Sequence, residues 1–74
     1  MSEDRAIYRV DYELPGSDAP TVEYPRSRQE ALSLARRVSK RHHVSTYVIR
    51  RTSEGDTGQR VYADGLHSHD DGTF

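Results

Sequence analysis

Ser27-Arg28-Gln29-Glu30-Ala31-Leu32-Ser33-Leu34-Ala35-Arg36-Arg37-Val38-Ser39-Lys40-Arg41-His42 reads as one helix together with the signal that starts it. Ser27 and Glu30 stand at the S-x-x-E spacing of a capping box, in which the serine oxygen accepts from an orphan amide and the glutamate reaches back. Beyond the cap, Ala31, Leu34, Ala35, Val38 and His42 fall within about 100° of one another at the helical period, with Leu32 on one flank. That stripe is wide enough to cover a sheet. Arg36, Lys40 and His43 point the opposite way, with Arg37 and Arg41 on one shoulder.

Strand patterns lie on both sides of this helix. From Ala6 to Leu14, residues Ala6, Tyr8, Val10, Tyr12 and Leu14 alternate with Ile7, Arg9, Asp11 and Glu13, the period of a half-buried strand. Pro15 to Pro20 is turn chemistry, and Thr21 to Tyr24 reads as a short return strand with Val22 and Tyr24 facing inward, closed by Pro25. After the helix, Val44 to Thr52 has apolar residues on both faces, Val44 and Val48 against Tyr47 and Ile49, as an interior strand does. Ser53 to Gly58 reads as a glycine-containing loop. Gln59 to Asp64 follows as a last strand, with Val61 and Ala63 alternating against Arg60 and Tyr62.

The expected fold is therefore α+β: a four-stranded, mainly antiparallel sheet of ββαββ order with one helix on one face. If the crossover carries the third strand past the second to lie beside the first, the order is 2-1-3-4 and every neighbour is antiparallel. Pairing the third with the second gives 1-2-3-4 and a parallel centre. The order 2-1-3-4 is preferred because it places the two most apolar strands in the middle. The domain is expected over residues 6–64, with 1–5 a flexible N-terminus and 65–74 a mobile, acidic, histidine-containing tail.

Seventy-four residues allow a single domain that buries about 60% of its unfolded surface, which leaves little room for a deep cleft. With no cysteine there are no disulfides and no thiolate metal sites. The opening residues show no basic region followed by an apolar run, so the expectation is a cytoplasmic protein without signal peptide or membrane span.

Charge is sorted along the chain. Positions 26–51 hold eight basic residues and one acid, whereas 1–25 hold two against six and 52–74 one against five. Such a field can orient a charged partner. Arg36, Arg37, Lys40 and Arg41, continued by Arg50 and Arg51, are candidate phosphate contacts for nucleic acid. The competing account is a solvated helix face whose late cations offset the helix dipole. His67-Ser68-His69-Asp70-Asp71, with His42-His43, has metal-ligating residue types but no rigid element beneath it, and no metal or other cofactor is expected. No G-x-S-x-G, phosphate-cradling glycine loop or H-E-x-x-H is present, so an enzyme is not expected.

Ser27-Arg28-Gln29-Glu30-Ala31, Ala35-Arg36-Arg37-Val38 and Tyr47-Val48-Ile49-Arg50-Arg51 together resemble a family of small bacterial and phage domains of unknown function. That resemblance spans roughly Tyr8 to Asp64 and implies two hairpins around one helix, in a phage or mobile-element protein. A tryptophan expected on the second strand is missing and the final loop is longer. A looser similarity is to the arm-binding sheet domain of tyrosine recombinases, which has three strands before its helix where this chain offers two.

A helix on one side leaves the other side of the sheet bare. Ile7, Tyr47, Ile49 and Tyr62 are the residues expected there, forming an apolar patch that no single helix covers. The resulting expectation is a non-enzymatic binding module that acts by protein–protein contact or self-association through this face. An accessory nucleic-acid-binding protein using the basic helix is the alternative.

Overall fold

The computed structural model describes residues 6–74; the N-terminal stretch 1–5, expected to be flexible, lies outside them. Its elements are β1 (Ile7–Tyr12), β2 (Thr21–Glu23), α1 (Arg28–His42), β3 (Thr46–Thr52), β4 (Gly55–Ala63) and β5 (Leu66–Gly72). They form one antiparallel sheet of order β2-β1-β3-β4-β5. The preferred 2-1-3-4 order therefore holds, with a fifth strand where a mobile tail was expected.

Helix α1 begins where its cap dictates. The Glu30 amide donates to Ser27 Oγ at 3.1 Å, and the Glu30 carboxylate accepts from the Arg26 amide at 3.2 Å, one residue earlier than in the standard box. His43 ends the helix in the left-handed conformation, with φ of 55°. Ala31, Ala35, Val38 and Ser39 are buried, while Leu34 and Leu32 are partly so and His42 is exposed. The small alanines let the helix sit close to Tyr8, Val10, Tyr12, Val48 and Tyr62, which complete the core.

Tyr62 corrects an expectation. It is 1% exposed and faces the helix, opposite Thr46 across the β3–β4 ladder. Val61 and Ala63 take the other side. The phase inverts because the ladder pairs Val10 with Val48 and Val48 with Arg60, so Arg60 and Tyr62 share the face of the buried valines. Arg60 is tolerated there because β5 supplies Asp70, at 2.8 Å from its Nε and 3.1 Å from its terminal nitrogen. Val22 and Tyr24 also depart from expectation. The register opposes Val22 to Asp11, which turns Glu23 toward the helix side, where it accepts a hydrogen bond from the Tyr12 hydroxyl.

The β4–β5 hairpin turns at Asp64-Gly65, both at positive φ (53° and 79°), the requirement of a two-residue type I′ turn. The helix pins this turn from above. The Gly65 amide donates to buried Ser39 Oγ at 2.9 Å, and a Cβ on Gly65 would lie 2.9 Å from the Lys40 Cβ. At the hairpin's far end, Gly58 and Gly72 oppose each other without room for side chains, since a Cβ on either would lie 2.6 Å from backbone across the ladder. Thr73 then bonds Thr57 in both directions, and Phe74 settles edge-on against Tyr8, with its ring flanked by the Arg28 and Arg60 guanidinium groups at 5.1 and 4.9 Å.

Among the described residues, one buried side-chain group is unsatisfied. Thr46 is fully buried and its hydroxyl has no hydrogen-bond partner. Thr46→Val keeps the shape and removes that desolvated hydroxyl, so it is expected to raise stability by about 1 kcal/mol, read as a higher urea midpoint.

Candidate protein interface

The face of the sheet away from α1 is built by strand alternation alone. On it stand Ile7, Arg9 and Asp11 of β1, Tyr47, Ile49 and Arg51 of β3, and Val61 of β4. Ile7 is 57% exposed and Tyr47 38%, while Val61 is buried between its cross-strand neighbours Tyr47 and His69. Val22 and Tyr24, at 45% and 68% exposure, extend the apolar surface toward β2. A shallow depression joins Tyr24 to Ile7, Ile49 and Arg51. Of the four residues expected here, Ile7, Tyr47 and Ile49 lie together and Tyr62 does not.

Charges on this face come in pairs. Arg9 donates to Asp11 at 3.0 Å with both side chains part-buried, Arg51 to Asp56 at 2.8 Å, and His69 approaches Asp71 at 3.5 Å. Arg9 and Asp11 stand on β1, between Val22 and the Tyr47–Ile49 pair, so apolar side chains and ion pairs of both signs are interleaved on this surface and it is not a single-sign field.

The six basic candidates do not form one surface. Arg50 and Arg51 are adjacent in an extended strand, so they point to opposite faces. Arg50 bonds Thr57 Oγ1 at 2.9 Å on the helix side, and Arg51 is held by Asp56 on the other. Arg36 lies over the Tyr62 ring at 5.7 Å, and the Lys40 stem rests on the β4–β5 turn. Arg37 borders an open cleft of about 660 Å³ between β2 and the helix, together with Glu23, Glu30 and Leu34. Arg41 is exposed near the helix end, where its charge suits the dipole.

The histidine segment is ordered by β5 and divided by a bulge. Register shifts at Val61/Tyr62, so His69 opposes Val61 while His67 opposes Tyr62 and Ser68 is extra. His67 and His69 therefore face opposite sides, although i and i+2 of a regular strand would share one. His67 bonds Asp70 at 2.9 Å and its ring lies 5.9 Å from that of Tyr62. Among the described residues no three His, Asp or Glu side chains converge as metal ligands would.

The Arg60 hydrogen bonds hold the Asp70 carboxyl down at about 2, partial burial opposing them and His67 adding to them. A free aspartate titrates near 3.9. Because the folded value is the lower one, this contribution is complete above about pH 4 and is lost as pH falls toward 2. Asp70→Asn is expected to flatten the decline in stability between those limits, measured by urea unfolding at pH 5 and 2.5.

No helix among the described residues is long and apolar enough to cross a membrane. No family model, curated protein or solved structure matches the chain.

Proposed function

We propose that this protein is a non-enzymatic binding module acting by protein–protein contact through the open face of its sheet. The observation that carries this reading is the exposure of Ile7, Val22, Tyr24 and Tyr47 on the side that α1 does not cover, beside Ile49. Scattered single apolar residues are ordinary on a surface, but several gathered on one face, here interleaved with the Arg9–Asp11 and Arg51–Asp56 pairs, have the mixed composition of a contact surface. The surface it fits alternates apolar and polar groups and needs no net charge of one sign. Binding of nucleic acid by the basic helix is the weaker reading, because Arg50 and Arg51 of β3 point to opposite faces instead of continuing its four candidate cations, and Arg36, Arg50 and Arg51 already rest on Tyr62, Thr57 and Asp56.

The test uses bis-ANS, a fluorescent probe of exposed apolar surface, at low protein concentration. The native chain is expected to enhance its emission, and Tyr47→Ser with Ile49→Ser to remove most of that enhancement while the helical circular dichroism persists. No enhancement, or loss of the fold in the double variant, would contradict the reading.

A further inference from the structure

We infer that residues 66–74 form a displaceable strap, and that the seat it leaves along β4 receives an extended partner segment carrying a carboxylate and, four residues on, an aromatic ring. This second contact lies at the sheet's edge and does not depend on the open-face reading. The first ground is how the strap is held. All seven residues of β5 are exposed, the Ser68 bulge interrupts the ladder, and Phe74 is only partly buried. Its other ties join groups that water can serve as well: Asp70 with Arg60, whose side chains are 35% and 20% exposed, and Thr73 with Thr57. Few buried apolar contacts and exposed hydrogen bonds mark a segment that opens ahead of the whole domain.

The second ground is that the seat belongs to the rest of the fold. Opening is confined to the far side of Gly65, because its amide is bonded to buried Ser39 Oγ at 2.9 Å and its turn lies under the Lys40 stem. Arg60 of β4, Arg28 of α1 and Tyr8 of β1 are carried by three elements outside the strap and stay when 66–74 leaves. Opening also bares the outer edge of β4, whose unpaired N–H and C=O groups template an added strand.

The strap shows what that seat takes. Arg60 grips the Asp70 carboxylate through two nitrogens, at 2.8 and 3.1 Å, a fork geometry that selects a carboxylate. Two residues on, Gly72 crosses Gly58 where a Cβ would meet backbone at 2.6 Å, so a glycine is required. Two further, the Phe74 ring lies edge-on to Tyr8, with the Arg28 and Arg60 guanidinium groups 5.1 and 4.9 Å from its centre. The seat therefore fits an extended acid-x-Gly-x-aromatic segment, of which Asp70 to Phe74 is the internal copy.

Hydrogen exchange of the unaltered chain reads the opening, and a fluorescently labelled peptide with the sequence of residues 66–74 reads the seat by anisotropy. The amides that join β4 to β5 are expected to exchange as a group before those of the β1–β3 ladder. Asp70→Asn in the chain weakens the internal copy, so the peptide should bind that variant about two- to fivefold more tightly than the unaltered chain. Circular dichroism checks that each variant keeps its helix. The same change made in the peptide should weaken its binding, and Arg60→Gln in the chain should erase the difference between the two peptides. Common exchange of both ladders, or a peptide that binds neither the unaltered nor the Asp70→Asn chain, would overturn the inference. Equal binding to those two chains would overturn it as well, since the strap would then not occupy the seat.

Discussion

Replacing Tyr62 by alanine is expected to cost about 3–5 kcal/mol, the range for removing a buried aromatic ring. A chain of this size has about 4–11 kcal/mol of stability in all, so the variant should be largely unfolded near its melting range and shifted far down in urea. The cost is high because the ring is 1% exposed and fills the space below Arg36, beside His67 and across from Thr46. Ile49→Ala on the opposite face should cost far less, because the helix does not pack on that residue. Urea unfolding of the two variants side by side reads the difference, and equal losses would mean that the core had been assigned to the wrong face.

Ile49→Asp is expected to remove most of the bis-ANS enhancement while leaving the domain folded. The carboxylate would stand on the partly exposed middle of the open face, across the ladder from Arg9 and two residues from Arg51, where it keeps its water and gains cationic neighbours. It replaces the apolar side chain that lies between Ile7 and Tyr47, so the probe loses the middle of its surface. Fluorescence at low protein concentration is the measurement, with circular dichroism as the check on folding. Enhancement equal to that of the unaltered chain would place the apolar contact elsewhere on the molecule.

The helix was the most legible element, since its cap residue, amphipathic period and small alanines all act locally. β1 was equally plain: Tyr8, Val10 and Tyr12 alternate inward as their spacing predicts. β3 left its two faces open because Val48 and Ile49 are equally apolar, and only the position of the helix separates them. The misassignments have tertiary causes. Arg60 and Tyr62 looked like an outward pair because the acid that accompanies Arg60, Asp70, and the ring beside it, Phe74, come from a segment expected to be a tail. Val22 and Tyr24 looked inward because a three-residue strand has too few positions for its own pattern to fix a phase; its register with β1 does so instead.

The fifth strand did carry a local signal. Asp64-Gly65 is a favoured type I′ pair, and it follows directly on the Val61-Tyr62-Ala63 strand. What hid the strand was its composition: His67, Ser68, His69, Asp70 and Asp71 have low strand propensity and every residue of β5 is exposed. Its stability comes from the ladder with β4, the Arg60–Asp70 pair and the glycine crossing at Gly58 and Gly72, none of which is visible in the pattern of β5 alone. The candidate site shared this limit. Ile7, Tyr47 and Ile49 followed from alternation, whereas the ion pairs that frame them depend on register across three strands.

The claim beneath both the fold and the proposed contact is that α1 shields one side of the sheet and no other element among the described residues shields the second. Methyl relaxation in the presence of a soluble gadolinium chelate, recorded at low protein concentration, reads it directly. The expected result is strong broadening of the Ile7 and Val22 methyls with Ile49 next, while Val10, Val38 and Val48 stay protected. Protection of Ile7 and Ile49 together with broadening of Val48 would contradict the account.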